Sequence, residues 1–417
     1  MTRARITARP AEVAGPTKRR AKMTRDRTHA ATGRGIAPQR LDTRGAGSPS
    51  AFAAFIESAS HELLASTWWF DPTPDQAEGP VVVRVSGHRQ GAGTKTRTRD
   101  HFVHDERIDH VLLDAGPVSV TARIRDINPG AWLVSARLLG TDQRDRGRHD
   151  PSGRSTAALP LHAGSWSWRS WALRDSEPHL VTTCVAPLAR IPAIIPGVWA
   201  ALVTLGVIAA LAIQQAILVR LGLQFPQALL ISLVAIAAGV VGAKIRFMAV
   251  HRSEGRFEGW SIQGFLAAIA IAAPVMLASA SVPIGPCVDS SAPGLFVGLA
   301  IGRIGCFFAG CCAGRPTRAA WGMWSSDQRV GMRRIPTQLL ESALALGIAL
   351  LALVAVLGYR PLIGGIFVAA LALYTLARQG ILRLRAERPE STRGGALIAL
   401  TSAVVLIGDV ILLALQG

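Results

Sequence analysis

From Ile191 onward the chain carries seven long stretches almost free of charge, at about 191–219, 226–250, 262–285, 293–313, 337–358, 361–378 and 395–416. Each is near the ~20 residues that an α-helix needs to cross bilayer hydrocarbon. Such runs satisfy their backbone polar groups internally only as helices, so an all-α polytopic membrane bundle is expected. The sixth stretch is the shortest and the third carries Pro274, so the pattern also accommodates six or eight helices.

Before about Leu188 the sequence is polar, rich in arginine and interrupted by Gly, Pro and Asp. Residues 1–47 have no apolar periodicity and cannot bury enough surface to offset their ordering entropy, so a basic disordered tail is expected there. Residues 48–188 read as a soluble β-rich domain and 189–417 as the membrane domain. Ser48 and Pro49 have the chemistry of a helix start, with Phe52, Phe55, Ile56, Leu63 and Leu64 near helical spacing, which predicts a short helix. From Val81 the period is two: Val81, Val83 and Val85, then Val118, Val120, Ala122 and Ile124, read as strands with one buried face. Asn128-Pro129-Gly130 reads as a turn leading to Trp132, Val134, Ala136 and Leu138, and Asp109 to Leu113 as a further strand. A small antiparallel sandwich of immunoglobulin or fibronectin type III character follows, built around that last hairpin. Trp166, Trp168 and Trp171 are expected in a sandwich strand and at the membrane interface.

The formal net charge of +18 calls for an anionic partner. Membrane lipid fits better than nucleic acid, because the basic run from Arg3 to Arg44 has no aromatic residue interleaved with it. The basic N-terminus is not followed by an apolar core and cleavage site, so no secretory signal is expected. Five cysteines, Cys184, Cys287, Cys306, Cys311 and Cys312, are too few and too unevenly spaced for a disulfide framework. Loop charge is lopsided, with Lys244, Arg246, Arg252, Arg256, Arg315, Arg318, Arg329, Arg333, Arg334, Arg383, Arg385, Arg388 and Arg393 on the side of the N-terminal domain. By the positive-inside rule that side would be cytoplasmic.

The most informative window runs from Gly298 to Thr317. Arg303 stands alone there in an apolar span, and an arginine at such depth needs an anion, a carboxylate or water. Glu341 and Asp409 are the acids placed to pair with it. Gly302, Gly305, Gly310 and Gly314 keep the backbone accessible, which suits a headgroup pocket and also ordinary close helix packing. Cys306, Cys311 and Cys312 match no standard zinc spacing and allow redox, soft-metal, lipid-carrying or simply buried roles. No internal repeat of the kind transporters show accompanies these acids.

Asp289-Ser-Ser-Ala292-Pro293, Gly302-Arg303-Ile304-Gly305 and Gly314-Arg315-Pro316-Thr317 together resemble the signature region of the prolipoprotein diacylglyceryl transferase family. Further matches follow in the family's order. Gly242-Ala243-Lys244 resembles its Gly-Ala-Arg, Gly259-Trp-Ser261-Ile-Gln263-Gly264 its Ser-Phe-His-Gly-Gly, and Pro336-Thr337-Gln338-Leu339-Leu340-Glu341 its His-Pro-Ser/Thr-Gln-Leu-Tyr-Glu. Tyr374 to Arg385 resembles the arginine-rich end of its penultimate helix. The resemblance covers residues from roughly 190 to 417.

It implies seven transmembrane helices in the cell membrane. It also implies transfer of a diacylglyceryl group from phosphatidylglycerol to the lipobox cysteine of prolipoproteins, with no metal or organic cofactor. Carried over residue by residue, Arg303, Arg378, Gln263 and Glu341 fall at catalytic positions, and Arg315, Arg385, Gln338, Cys306 and Cys311 line the substrate. The resemblance places the N-terminal domain and the catalytic face outside, against the charge bias. The family's two histidines fall on Gln263 and Ile335, its asparagines on Cys306 and Ala309, and its glutamate on Cys311. The arginines survive and their polar partners do not, so a phospholipid-binding scaffold with a protein-binding N-terminal domain is the alternative reading.

Overall fold

The computed structural model describes residues 62–72, 80–91, 99–139, 162–166, 171–174, 179–185, 189, 191–223, 226–250, 261–387 and 392–416. The basic tail and most of the expected helix at Ser48 lie outside these residues. Leu63 and Leu64 do not continue a helix. They open strand β1 (Glu62–Phe70), where Thr67, Trp68, Trp69 and Phe70 bring the β-branched and aromatic character that favours a pleated, buried surface.

Eight more strands precede the membrane helices: β2 (Val81–Arg89), β3 (His101–Ile108), β4 (Val118–Ile124), β5 (Ala131–Leu139), β6 (His162–Trp166), β7 (Trp171–Arg174), β8 (His179–Thr182) and β9 (Cys184–Val185). Two antiparallel sheets form. One has the order β3-β2-β5-β8; the other contains β4-β1-β6-β7, with β9 also paired to β1. Trp68, Val83, Val85, Val120, Trp132 and Val134 fill the core between them. Each fully buried large apolar side chain contributes roughly 2–3 kcal/mol.

Two expectations are corrected here. Asp109 to Leu113 is not a strand: β3 ends at Ile108, and the chain turns through Asp114 and Gly116, both at positive φ. Nor do β4 and β5 form a hairpin, because they belong to different sheets. The Asn128 turn is a corner between sheets. It is fixed by Asn128 N–H donating to the Arg99 carbonyl at 3.1 Å, Asn128 Nδ2 donating to Asp100 at 2.8 Å, and Trp132 Nε1 donating to the Asn128 carbonyl at 3.1 Å.

Seven apolar helices follow: α1 (Val198–Arg220), α2 (Pro226–Val250), α3 (Ile262–Ser279), α4 (Ile284–Ala309), α5 (Thr337–Gly358), α6 (Gly365–Leu382) and α7 (Thr392–Gln416). Six are long and apolar enough to cross a membrane; α3 is the short one. Helices α1 and α4 cross at backbone distance, since a Cβ on Gly206 would stand 2.7 Å from the Gly298 carbonyl oxygen and the converse is equally close. Small residues at a crossing permit this approach. Phe296, Ala300, Ala345, Ile348, Ala352 and Tyr374 knit α4, α5 and α6 into one core.

The fourth helix starts earlier than its apolar run, at Ile284, and thereby encloses Asp289. That buried carboxylate accepts from the Gly364 and Phe367 N–H groups at 2.8 and 3.0 Å, capping the N-terminus of α6 from a neighbouring helix.

The connection between α4 and α5 forms the hairpin β10 (Met323–Ser326) and β11 (Val330–Arg334), and β11 pairs with β4. The sandwich sheet therefore reads β10-β11-β4-β1-β6-β7 and includes strands from between two membrane helices. Val330 and Met332 enter the sandwich core. Trp324 stacks on Trp69 at 5.2 Å and donates to the Pro117 carbonyl at 3.0 Å. Arg329 pairs with the buried Glu106, and Arg318 donates to the Leu113 carbonyl at 3.0 Å.

Candidate phosphate-binding site

The helices alternate in direction, so the ends of α4 and α6 and the start of α5 meet on the sandwich side of the bundle. Three arginines of the family motifs converge there on one carboxylate. Glu341 is fully buried on α5, and Arg303 Nε from α4 lies 2.7 Å from its Oε2. Arg385 Nη2, just beyond α6, donates to Oε1 at 2.6 Å, and Arg378 Nε on α6 lies 3.7 Å from the same oxygen. Among the described residues no other carboxylate is in ion-pair reach of these three arginines. Arg303 thus has the acid that a lone intramembrane arginine needs.

The ratio matters more than the pair. Three guanidiniums around one carboxylate leave an excess of positive charge in a largely desolvated place, where an anion is strongly favoured. The contacts also leave donor capacity: among the described residues the buried Nε atoms of Arg303, Arg378 and Arg385 make no aligned hydrogen bond, nor does the Tyr374 hydroxyl. Tyr374 stands beside Arg303. It is one of two tyrosines in the chain, opens the motif that runs to Arg385, and sits one helical turn before Arg378 on α6, the spacing that puts it at the site.

The floor of the site is the segment that leaves α4. Gly310 caps α4 in the left-handed conformation, and a side chain there would meet the Ser326 carbonyl. Beyond it the chain runs extended between two partners. On one side Arg315 N–H donates to the Leu384 carbonyl at 2.9 Å and Ala386 N–H to that of Ala313 at 2.9 Å. On the other, Ile335 N–H donates to the Arg315 carbonyl at 3.0 Å and Thr317 N–H to that of Arg333 at 3.1 Å. Gly314 is required because a Cβ would collide with the Ile335 carbonyl. Arg315 Nε donates to the Arg385 carbonyl at 3.2 Å, which brings the fourth arginine to the same rim.

Gln338 is buried and donates to the Cys311 carbonyl at 2.8 Å, while the Thr337 hydroxyl donates to that of Cys312 at 3.0 Å. Both side chains thereby hold the turn that carries the thiols. Cys312 Sγ lies 4.0 Å from Arg303 Nη1, and Cys311 Sγ lies 3.7 Å from the Cys306 carbonyl. Arg334, buried beneath this floor outside the membrane helices, has its pKa drawn below the usual guanidinium range by burial, with Asp327 opposing. Its Nη2 donates to Asp327 at 2.8 Å.

The structure therefore brings together Arg303, Arg378, Arg385, Arg315, Glu341, Gln338, Cys306 and Cys311. Gln263 is not joined to them by any contact among the described residues; it accepts from Arg246 across the α2–α3 pair. Asp409 is also elsewhere, beside Gly365 at the far end of α6. Among the described residues no group of His, Cys, Asp and Glu has the arrangement of a metal site.

Comparison with known proteins points the same way. A family model described as prolipoprotein diacylglyceryl transferase matches residues 188–415. Phosphatidylglycerol–prolipoprotein diacylglyceryl transferase 2 of Streptomyces coelicolor is 32% identical over 158 residues, 36% of this chain and 50% of that protein. The phosphatidylglycerol–prolipoprotein diacylglyceryl transferase of Streptomyces griseus is 30% identical over 161 residues, 38% of this chain and 50% of that protein. The chain spans about half the length of these curated relatives. With more than half of its residues matched by the model, the chain belongs to the prolipoprotein diacylglyceryl transferase family.

Proposed function

We propose that the protein transfers the diacylglyceryl group of phosphatidylglycerol to the lipobox cysteine thiol of prolipoproteins, as a multi-pass protein of the cell membrane. The observation that carries this reading is the excess of guanidinium over carboxylate at the end of α4 and α6. A phosphodiester brings the missing negative charge, and Arg303, Arg378 and Arg385 offer planar forks of donors to its oxygens. In the transfer the acceptor sulfur attacks the diacylglyceryl carbon bonded to the phosphate oxygen. The carbon–oxygen bond breaks, and glycerol phosphate leaves with the electron pair. Charge grows on the departing phosphate, where preorganised guanidiniums stabilise it more than they stabilise the bound lipid. Glu341 keeps the arginines oriented and Gln338 keeps the floor of the site in place.

The test is transfer itself. Full-length protein in nanodiscs containing phosphatidylglycerol, given a lipobox peptide, is expected to add one diacylglyceryl group to the peptide cysteine. Arg378→Ala should lower the rate by roughly two orders of magnitude. Binding of phosphatidylglycerol without any product would refute the reading and favour a lipid-binding scaffold. We place the sandwich and the site on the outer face, as the resemblance implies. A single cysteine introduced at Ala163, in a background free of native thiols, should then react with an impermeant maleimide in intact cells. Labelling only after permeabilisation would reverse the orientation.

A further inference from the structure

The transfer needs a base for the acceptor thiol, and the family's histidine positions hold Gln263 and Ile335 in this chain. The only histidine beyond residue 188 is His251, which lies outside the described residues. Glu341 is occupied by arginines, and Asp289 by the N-terminus of α6. Among the described residues the remaining proton-accepting groups at the site are sulfur.

Resting on the transferase reading above, we propose that Cys312 is the general base of the reaction, its thiolate taking the proton of the acceptor thiol. Three observations support it. Cys312 is half-buried at the floor of the site, with Sγ 4.0 Å from Arg303 Nη1. Its place is fixed: it sits at φ 57°, its carbonyl accepts from Thr337, and the preceding carbonyl accepts from Gln338. The charged and titratable groups facing it favour an anion: Arg303 and Cys306 from α4, Cys311 from the same turn, and Arg385 from the segment after α6, with Glu341 of α5 behind the two arginines. Hydrogen bonds from Cys306 and Cys311, then the charges of Arg385 and Arg303, hold the Cys312 thiol below the usual range.

A thiolate favoured in this way is a weak base, and the arginine charges are the part of that stabilisation which another anion can remove. The lipid phosphate is that anion. When it engages Arg303 and Arg385 it withdraws stabilisation from the sulfur anion and raises its proton affinity, so lipid binding primes the base. The acceptor S–H bond then breaks toward Cys312. The acceptor thiolate forms the carbon–sulfur bond as the carbon–oxygen bond breaks, and Cys312 later returns its proton to the leaving phosphate or to water. No oxidant, metal or further reactant is needed.

The experiment uses the full-length protein in phosphatidylglycerol nanodiscs with the lipobox peptide. Cys312→Ser is expected to lower kcat by roughly 100-fold or more, the usual worth of a general base, while phosphatidylglycerol binds at least as tightly as in the wild type, because the sulfur anion that competes for Arg303 and Arg385 is gone. Cys312→His should recover at least tenfold over Cys312→Ser, with a new acidic limb near the ordinary imidazole range of about 6.5. That profile separates a base from a merely structural thiol. Retained lipid binding shows that each variant folds. Wild-type rates and pH profile in Cys312→Ser would overturn the proposal and leave the transferase reading intact, as would loss of transfer in His251→Gln alone. A diacylglyceryl mass on Cys312 itself would overturn it too, since the sulfur would then be a nucleophile. A wild-type protein that binds lipid and transfers to no thiol removes both readings together.

Discussion

Two parts of the bundle carry family motifs, the α4–α5 connection and the helix pair α2–α3, and the described residues hold them differently. The α4–α5 connection is held from every direction: β11 pairs with β4, Trp324 stacks on Trp69, Arg329 pairs with Glu106, and Gln328 donates to the Ala309 carbonyl at 2.8 Å. The α2–α3 pair meets α1 and α4 through Leu218, Ile231, Leu277 and Cys287 and through Ser232 Oγ donating to Gln214 at 3.0 Å, and it has no contact with the sandwich like those of the hairpin among the described residues. Gly242 and Gly264 meet backbone to backbone and Arg246 reaches Gln263, but a cavity of about 390 Å³ lies between the pair and α1 and α4, lined by Ala210, Gln214, Ile231, Ala273 and Cys287. The arginines and Glu341 hang on the first support, and Gln263 on the second. A charge cluster needs fixed geometry to repay its desolvation, and the extramembrane sheet supplies that fixity.

The largest expected effect tests the cluster. Glu341→Gln removes the only carboxylate facing three arginines among the described residues. The change should cost about 3–5 kcal/mol, read as a fall in Tm in detergent, because unpaired buried charges are expensive. Phosphatidylglycerol should then bind more tightly and restore part of the lost Tm. An unchanged Tm would mean that Glu341 does not organise the arginines. A smaller effect compares the two supports directly. Arg329→Ala removes the guanidinium partner of the buried Glu106, which keeps His104 at 3.2 Å, and should cost about 1 kcal/mol, less than a fully buried pair because Arg329 itself is largely exposed. Arg246→Ala breaks an exposed contact with Gln263 and should stay within about 0.5 kcal/mol. Equal losses would erase the distinction between the two supports. Hydrogen exchange at Val330 to Met332 should quicken only in the first variant.

The membrane helices were legible because length and hydropathy determine them almost alone. Their ends were less so. Asp289 and Pro293 look like a boundary in sequence, yet Asp289 is buried inside α4 because it caps α6, a partner that no local pattern reveals. The annexed hairpin was unreadable for a related reason. Met323 to Ser326 and Val330 to Arg334 are too short to show a period of two, and their apolar residues have meaning only beside β4. Strands β2, β4 and β5 were legible from alternation, but not which sheet each joins, since that depends on the contacts of Asn128 with Arg99 and Asp100. At the site, motif resemblance named Arg303, Arg378 and Glu341 separately. Their convergence on one carboxylate, and the attachment of Gln263 to Arg246 instead, are tertiary facts.

The smallest expected effect isolates the sandwich from the site. Arg84 and Asp105 pair across β2 and β3 at 2.6 Å, on the exposed face of β3, opposite the buried Glu106 that meets Arg329 of the annexed hairpin. The hydrogen bond from Arg84 holds the Asp105 carboxyl below the usual carboxylate range. A depressed folded-state pKa stabilises the fold above the unfolded value of about 3.9 and loses that contribution as pH falls through the folded value. The stability difference between wild type and Arg84→Ala should therefore be present at pH 7 and shrink toward zero as pH drops below about 4. Its size should be a few tenths of a kcal/mol, since Asp105 is 43% exposed and solvent screens the pair. Denaturant melts of the two proteins across pH measure it. Hydrogen exchange at Val330 to Met332 should be the same in both, because the hairpin pairs with β4 and meets β3 only through Glu106, on the face away from Asp105. Faster exchange there in Arg84→Ala would show that the two sheets transmit strain to the site as one body, and the contrast between the two supports would then extend to the whole sandwich.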